Sequence, residues 1–84
     1  MTPGDLIAQR RAELGESLAI FSKRLGVDRS FLCDVEHGKR RVALKHAQRW
    51  AEPLGIEPAA LAKLIFQELL DEAGLDLVVQ VRRR

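Results

Sequence analysis

The sequence predicts an all-α domain of five helices, extended at its C-terminal end by one β-strand. Three observations predict it. Apolar residues recur at spacings of three and four from Leu6 to Ala73, with capping residues ahead of the runs. Glycines at 15, 26, 38, 55 and 74 close the runs, where a helix commonly ends in a left-handed backbone. From Leu75 to Val81 the spacing falls to two, the period of a strand.

Each element has its own signals. The first helix starts at Thr2 as cap, with Pro3 in the first helical position and Asp5 at the third, a capping box with Asp in place of Glu. Leu6, Ile7, Arg10, Arg11 and Leu14 share one side, the arginine stems covering core and the heads reaching water or a partner. Ser17 caps the second helix, whose inner face is Leu18, Phe21 and Leu25, with Lys23 and Arg24 pointing outward. A tight turn at Gly26-Val27 follows, and Asp28 caps a third helix from about Arg29 to His37. Its residues divide by angle: Phe31, Leu32 and Val35 on one side, Arg29, Ser30, Cys33 and Asp34 on the other. A short basic loop, Lys39 to Ala43, leads to a fourth helix over about Leu44 to Leu54. Its core face is Leu44, Ala47, Trp50, Ala51 and Leu54, and Pro53 should bend it or end it early near Trp50. Pro58 opens the fifth helix, whose apolar face is Leu61, Leu64, Ile65, Leu69, Leu70 and Ala73, with Phe66 beside it. In the tail Leu75, Leu77, Val79 and Val81 alternate with Asp76, Val78 and Gln80. One strand alone is unstable, so the expected partner is the same strand of a second copy, the other reading being a frayed extension.

Composition narrows the function. At 84 residues the chain makes one domain, and a chain this short gains from oligomerisation. The net charge is only +2, but its distribution is uneven. Residues 1–50 carry ten Lys/Arg against six Asp/Glu, and residues 51–84 carry four against six. The first part suits a polyanion and the second needs another role. The single cysteine, Cys33, excludes an intrachain disulfide and a cysteine-based zinc site, and fits a reducing cytoplasm. Met1 to Leu14 does not read as a signal peptide, and no apolar run is long enough for a bilayer. His37 and His46 stand nine apart with no carboxylates arranged around them, so no metal site is expected. No Ser/His/Asp set, paired acid site or Gly-rich phosphate loop appears, so neither an enzyme nor a cofactor is expected.

The outer side of the third helix carries the chemistry. A rod of about three turns, buried on one side and showing Arg29, Ser30, Cys33 and Asp34 on the other, suits insertion into a DNA groove. Arg29 can donate two bonds to guanine O6 and N7, Asp34 can accept from a cytosine amino group, and Cys33 can touch a thymine methyl. Ser30 can donate or accept and specifies weakly. Asp34 could instead orient Arg29 or pair elsewhere. Lys39, Arg40, Arg41 and Lys45 are placed to neutralise phosphates.

These residues also carry a family resemblance. Ser17 to Arg40, SLAIFSKRLGVDRSFLCDVEHGKR, resembles the helix-turn-helix of the Cro/lambda-repressor-like (XRE) regulators. The matching features are Leu25-Gly26-Val27, the run Val35-Glu36-His37-Gly38-Lys39, and A-x-x-L-G-I at Ala51 to Ile56. The resemblance covers about residues 5–65. It implies a five-helix lambda-repressor-like DNA-binding domain with the third helix in the major groove. It implies base contacts from Arg29, Ser30, Cys33 and Asp34, and phosphate contacts from His37, Lys39, Arg41 and the start of the second helix, at Ser17. It also implies a pairing of Arg11 with Glu36. Three features depart from the family: Leu18 stands where glutamine is common, Arg10 where many members are apolar, and the tail after Gly74 lies outside the core motif.

The sequence thus reads as a homodimeric, sequence-specific transcription regulator, a repressor or autoregulator on a pseudo-palindromic operator. Residues 1–74 form the DNA-binding domain, with the helix-turn-helix at about 17–38. Residues 75–84 form the strand and basic tail. Dimerisation is expected through Phe66, Leu69, Leu70, Leu75, Leu77, Val79 and Val81. A phage-type repressor, a restriction–modification controller and an antitoxin all fit. The alternative is a protein-interaction module, such as a toxin-neutralising antitoxin or adaptor, that uses the apolar C-terminal part.

Overall fold

A computed structural model describes residues 1–82. It holds five α-helices: α1 (Pro3–Leu14), α2 (Leu18–Leu25), α3 (Arg29–Glu36), α4 (Ala47–Leu54) and α5 (Pro58–Glu72). A 3-10 turn, Leu44–His46, leads into α4. The capping box of α1 is complete: Asp5 N–H donates to Thr2 Oγ1 at 3.1 Å, and Thr2 N–H donates to Asp5 Oδ2 at 3.0 Å. Gly26 ends α2 at φ 72°, a backbone conformation that costs glycine nothing and lets α3 leave at a sharp angle.

The core lies where α4 packs against α2 and meets α5. Trp50, Phe21, Ile7, Leu25, Leu32, Leu54 and Leu61 are fully buried. Full burial of each large side chain is worth roughly 1.5–3 kcal/mol. Trp50 also donates its indole N–H to the Leu25 carbonyl at 2.9 Å, which fixes the end of α2 just before the turn. Gly4 of α1 lies directly on the Val35 carbonyl, so any side chain there would push α1 off α3. Arg10 rests on Gly55 and Arg49 on Gly26, placing guanidinium groups at the C-terminal ends of α4 and α2, where the helix dipole favours cations.

Several expectations are corrected. Leu14 is 40% exposed, because α1 packs through its first half (Pro3, Gly4, Ile7) and its last turn runs past the core. Leu44 is 47% exposed; Val42, in the basic loop, takes the core place instead. Pro53 does not end α4 early: the helix continues to Leu54 with Gly55 as its cap. Proline there removes one donor in the last turn, while Trp50, Ala51 and Leu54 around it are all buried. On α5 only Leu61 and Ile65 are buried; Leu64 and Leu70 are half-buried, and Leu69, Ala73 and Phe66 are exposed. The outer half of α5 extends beyond the elements that could cover it.

The C-terminal strand is not present among the described residues. A strand requires a backbone partner, and what lies beside the tail is α5, a helix. Its Gln67 substitutes: Nε2 donates to the Leu77 carbonyl at 2.8 Å and Oε1 accepts from Val79 N–H at 2.9 Å. The tail is thus clipped to α5 by a side-chain amide. Arg83 and Arg84, placed in the basic tail by the sequence reading, lie outside the described residues. No helix among the described residues is long and apolar enough to cross a membrane.

Candidate nucleic-acid interface

The proposed reading helix is held from behind. Leu32 and Val35 of α3 are buried to within 1%, while Arg29 and Ser30 are exposed and Cys33 and Asp34 partly so. Phe31, expected inside, is only half-buried; it lies at the rim, with its ring edge-on to His46 at 6.5 Å. At the far end of α3, Glu36 receives both branches of Arg11, Nε to Oε2 at 2.8 Å and Nη2 to Oε1 at 2.9 Å. Arg11 also donates to the Glu16 carbonyl at 3.0 Å, so one guanidinium joins α1, the α1–α2 corner and α3. The Glu36 side chain is 6% exposed, and the fork geometry fixes the rotation of α3 about its axis. Pairing with Glu36 raises the Arg11 pKa further above its ordinary value, against the desolvation that would lower it.

At the near end, Asp28 occupies the cap position of α3, but its side chain makes no capping hydrogen bond. The expected cap is therefore one of backbone conformation only. Ser17 behaves as read: its Oγ accepts from Ile20 N–H at 3.2 Å, which leaves its own hydrogen to donate outward.

The basic residues do not all stand free. Arg40 lies 3.6 Å from Asp34 Oδ2, and its guanidinium sits 5.5 Å above the Phe31 ring. A residue expected at phosphate and one expected at a base are thus each other's partners. The Asp34 carbonyl further accepts from Lys39 N–H at 2.8 Å, tying the loop back onto α3. Arg41 pairs with Glu72 on α5. Arg29, Lys39 and Lys45 make no ion pair among the described residues. His37 Nδ1 donates to the Cys33 carbonyl at 2.7 Å, and its Nε2 is left for another partner. Cys33 Sγ is 3.6 Å from the same ring nitrogen. His46 stacks on Trp50 with centroids 4.4 Å apart, and burial, then Lys45 and Arg49, hold its pKa below the ordinary value. No group of three potential metal ligands occurs among the described residues.

The sequence reading missed the Asp34–Arg40–Phe31 stack, the placement of Arg49 at the turn, and Gln67. The first had a signal: Asp34 and Arg40 bracket a helix end, where the chain folds back. Gln67 had none, since with Glu68 it reads as an ordinary polar pair between Phe66 and Leu69 of α5.

No family model matches the chain, and no curated protein matches it. Solved structures do. The restriction–modification controller protein C.AhdI from Aeromonas hydrophila is 34% identical, with a TM-score of 0.59 over 70% of this chain and 86% of that one. The chain belongs to the helix-turn-helix regulators. This regulator also superposes, at a TM-score of 0.77, on a protein described as an antidote of a plasmid maintenance system from Nostoc punctiforme PCC 73102. They are 29% identical, over 87% of this chain and 80% of the other. A third match is a protein described as a hypothetical transcription factor from Neisseria, 26% identical with a TM-score of 0.61, over 83% of this regulator and 79% of that chain.

Proposed function

We propose that this helix-turn-helix regulator is of the XRE type and binds a pseudo-palindromic operator as a homodimer. In this reading it acts in the cytoplasm as a repressor or autoregulator. The observation that carries the reading is α3 itself: a short rod clamped on its inner side, with an unpaired Arg29 at its exposed start. Residues 1–74 are the DNA-binding part, and residues 75–84 belong to the dimer contact. Arg29 reads guanine, Ser30 and Cys33 line the groove, and Asp34 keeps Oδ1 for a cytosine amino group while Oδ2 faces Arg40. Ser17, His37, Lys39 and Lys45 meet phosphates. Arg40 and Arg41 do so only by leaving Asp34 and Glu72.

Phe66, Leu69, Leu70, Leu75, Leu77, Val79 and Val81 form the dimer contact. Most of them are exposed, and Leu70 and Val79 are half-buried; no element among the described residues covers the group fully. Arg29→Ala tests the DNA reading. It should cost about 1–3 kcal/mol on the preferred duplex and relax specificity at one base pair. An unchanged preference would overturn Arg29 as a base reader.

The likeness to a plasmid-maintenance antidote favours one second reading, that the apolar C-terminal part binds a toxin protein. Arg29→Ala separates the two, since a partner held by α5 and the tail is unaffected by it.

A further inference from the structure

The hydrogen bonds of Gln67 are symmetric about one residue. They engage the carbonyl of Leu77 and the N–H of Val79, which flank Val78. These are the two bonds that one residue of a parallel neighbouring strand would give Val78. With that edge of the tail occupied, an extended backbone turns the groups of Asp76, Val78 and Gln80 the opposite way. They have no hydrogen-bond partner among the described residues. Val78 is also the most exposed large apolar residue described, at 76%.

The sequence around Val78 has the same symmetry. Reading outward in either direction, an apolar residue comes first (Leu77, Val79), a polar one next (Asp76, Gln80), and an apolar one after that (Leu75, Val81). A two-fold axis between antiparallel strands needs such a pattern, because each residue meets its mirror position in the other copy.

We infer that residues 75–82 pair with the same segment of a second copy as a two-stranded antiparallel ribbon centred on Val78, with Gln67 setting the register. The inference rests on the reading of α5 and the tail as the dimer contact. In this register Val78 faces Val78 of the second copy, and Asp76 faces Gln80. Each such pair exchanges both N–H···O bonds. On the other face Leu75 meets Val81 and Leu77 meets Val79, so four half-exposed apolar side chains cover one another. Arg82 lies diagonal to Asp76 across the strands, a placement in which opposite charges attract. A shift by one residue would set polar against apolar on both faces. The occupant is therefore a second copy and not an unrelated strand, because charge and pattern complement themselves.

The test uses the full chain. Sedimentation first establishes whether it is a dimer. Single cysteines are then placed at 76, 78 and 80 in a Cys33→Ser background, and disulfide formation between copies is followed. Across the axis the two Val78 Cα atoms stand about 5.5 Å apart, within disulfide reach. The paired positions at 76, and those at 80, stand about 14 Å apart, beyond it. Val78→Cys should cross-link at least tenfold faster than Asp76→Cys or Gln80→Cys, and those two should match. Gln67→Leu should raise the dimer dissociation constant at least tenfold and spread cross-linking from 78 to its neighbours. Its circular-dichroism spectrum below the melt should be unchanged, because Gln67 holds only the tail and Asp71. A dimer that cross-links equally at all three positions, or at none, overturns this inference and leaves the dimer reading standing. A chain that stays monomeric at every concentration overturns both.

Discussion

Arg11 shows how much a single side chain can fix. Its guanidinium reaches the carboxylate late in α3 and the carbonyl at the α1–α2 corner. Arg11→Ala leaves the Glu36 carboxylate buried without its partner. It should therefore destabilise the fold by about 3 kcal/mol, measured by urea unfolding. The pairing was legible through the resemblance at Val35 to Lys39, which pointed to Glu36. The pairing of Asp34 with Arg40 had only the signal that the two bracket a helix end, because helical angle gives the side on which a residue lies and not the loop that folds back over it. His46 offers a second residue-level prediction. Its folded pKa lies below the ordinary 6.5, chiefly through burial, so the unfolded chain binds the proton more readily. Its contribution to stability is thus full above that value and is lost as pH falls through it. Wild type should lose stability relative to His46→Phe, which keeps the stacking on Trp50, as pH drops from about 7 to about 5. A constant difference across that range would show that the ring's titration does not couple to folding.

The helices were legible because their ends are written in residue types with physical reasons. Thr2 and Ser17 accept the orphan N–H groups, and Gly15, Gly26, Gly55 and Gly74 take positive φ. Ser17→Ala should cost about 0.5–2 kcal/mol in thermal unfolding, because Ile20 N–H loses its partner. Three features resisted the sequence. Val42 replaced Leu44 in the core, since a lone valine in a basic loop has no periodic neighbours to identify it. Pro53 stayed within α4 because the residues around it are buried strongly enough to offset one missing hydrogen bond. The tail had the alternation of a strand, but alternation specifies only two faces, and the element beside it was a helix carrying Gln67. For α3 the angular division held at Leu32 and Val35 on the inside and at Arg29 and Ser30 outside. If that outer side meets DNA, bound duplex should slow alkylation of Cys33, the chain's only thiol. Equal rates with and without duplex would place Cys33 outside the contact.

Across the whole molecule, charge and apolar surface are separated. The basic groups of α3 and the segment after it include three, Arg29, Lys39 and Lys45, that make no ion pair among the described residues, while exposed leucines and valines gather on α5 and the tail. Lys39→Ala should therefore reduce the dependence of log affinity on log salt by about one unit, without changing the preferred sequence. Arg41 spans the two regions through Glu72, so the basic loop and α5 are electrostatically linked. In the dimer reading, two α3 helices present the same face at a separation of one duplex turn, about 34–36 Å. Selection of bound duplexes from a random pool measures this most directly. The enriched sequences should contain two inverted half-sites with centres about one turn, or a whole number of turns, apart. A pool that enriches no sequence at low salt would contradict the assignment of α3 as a reader of bases.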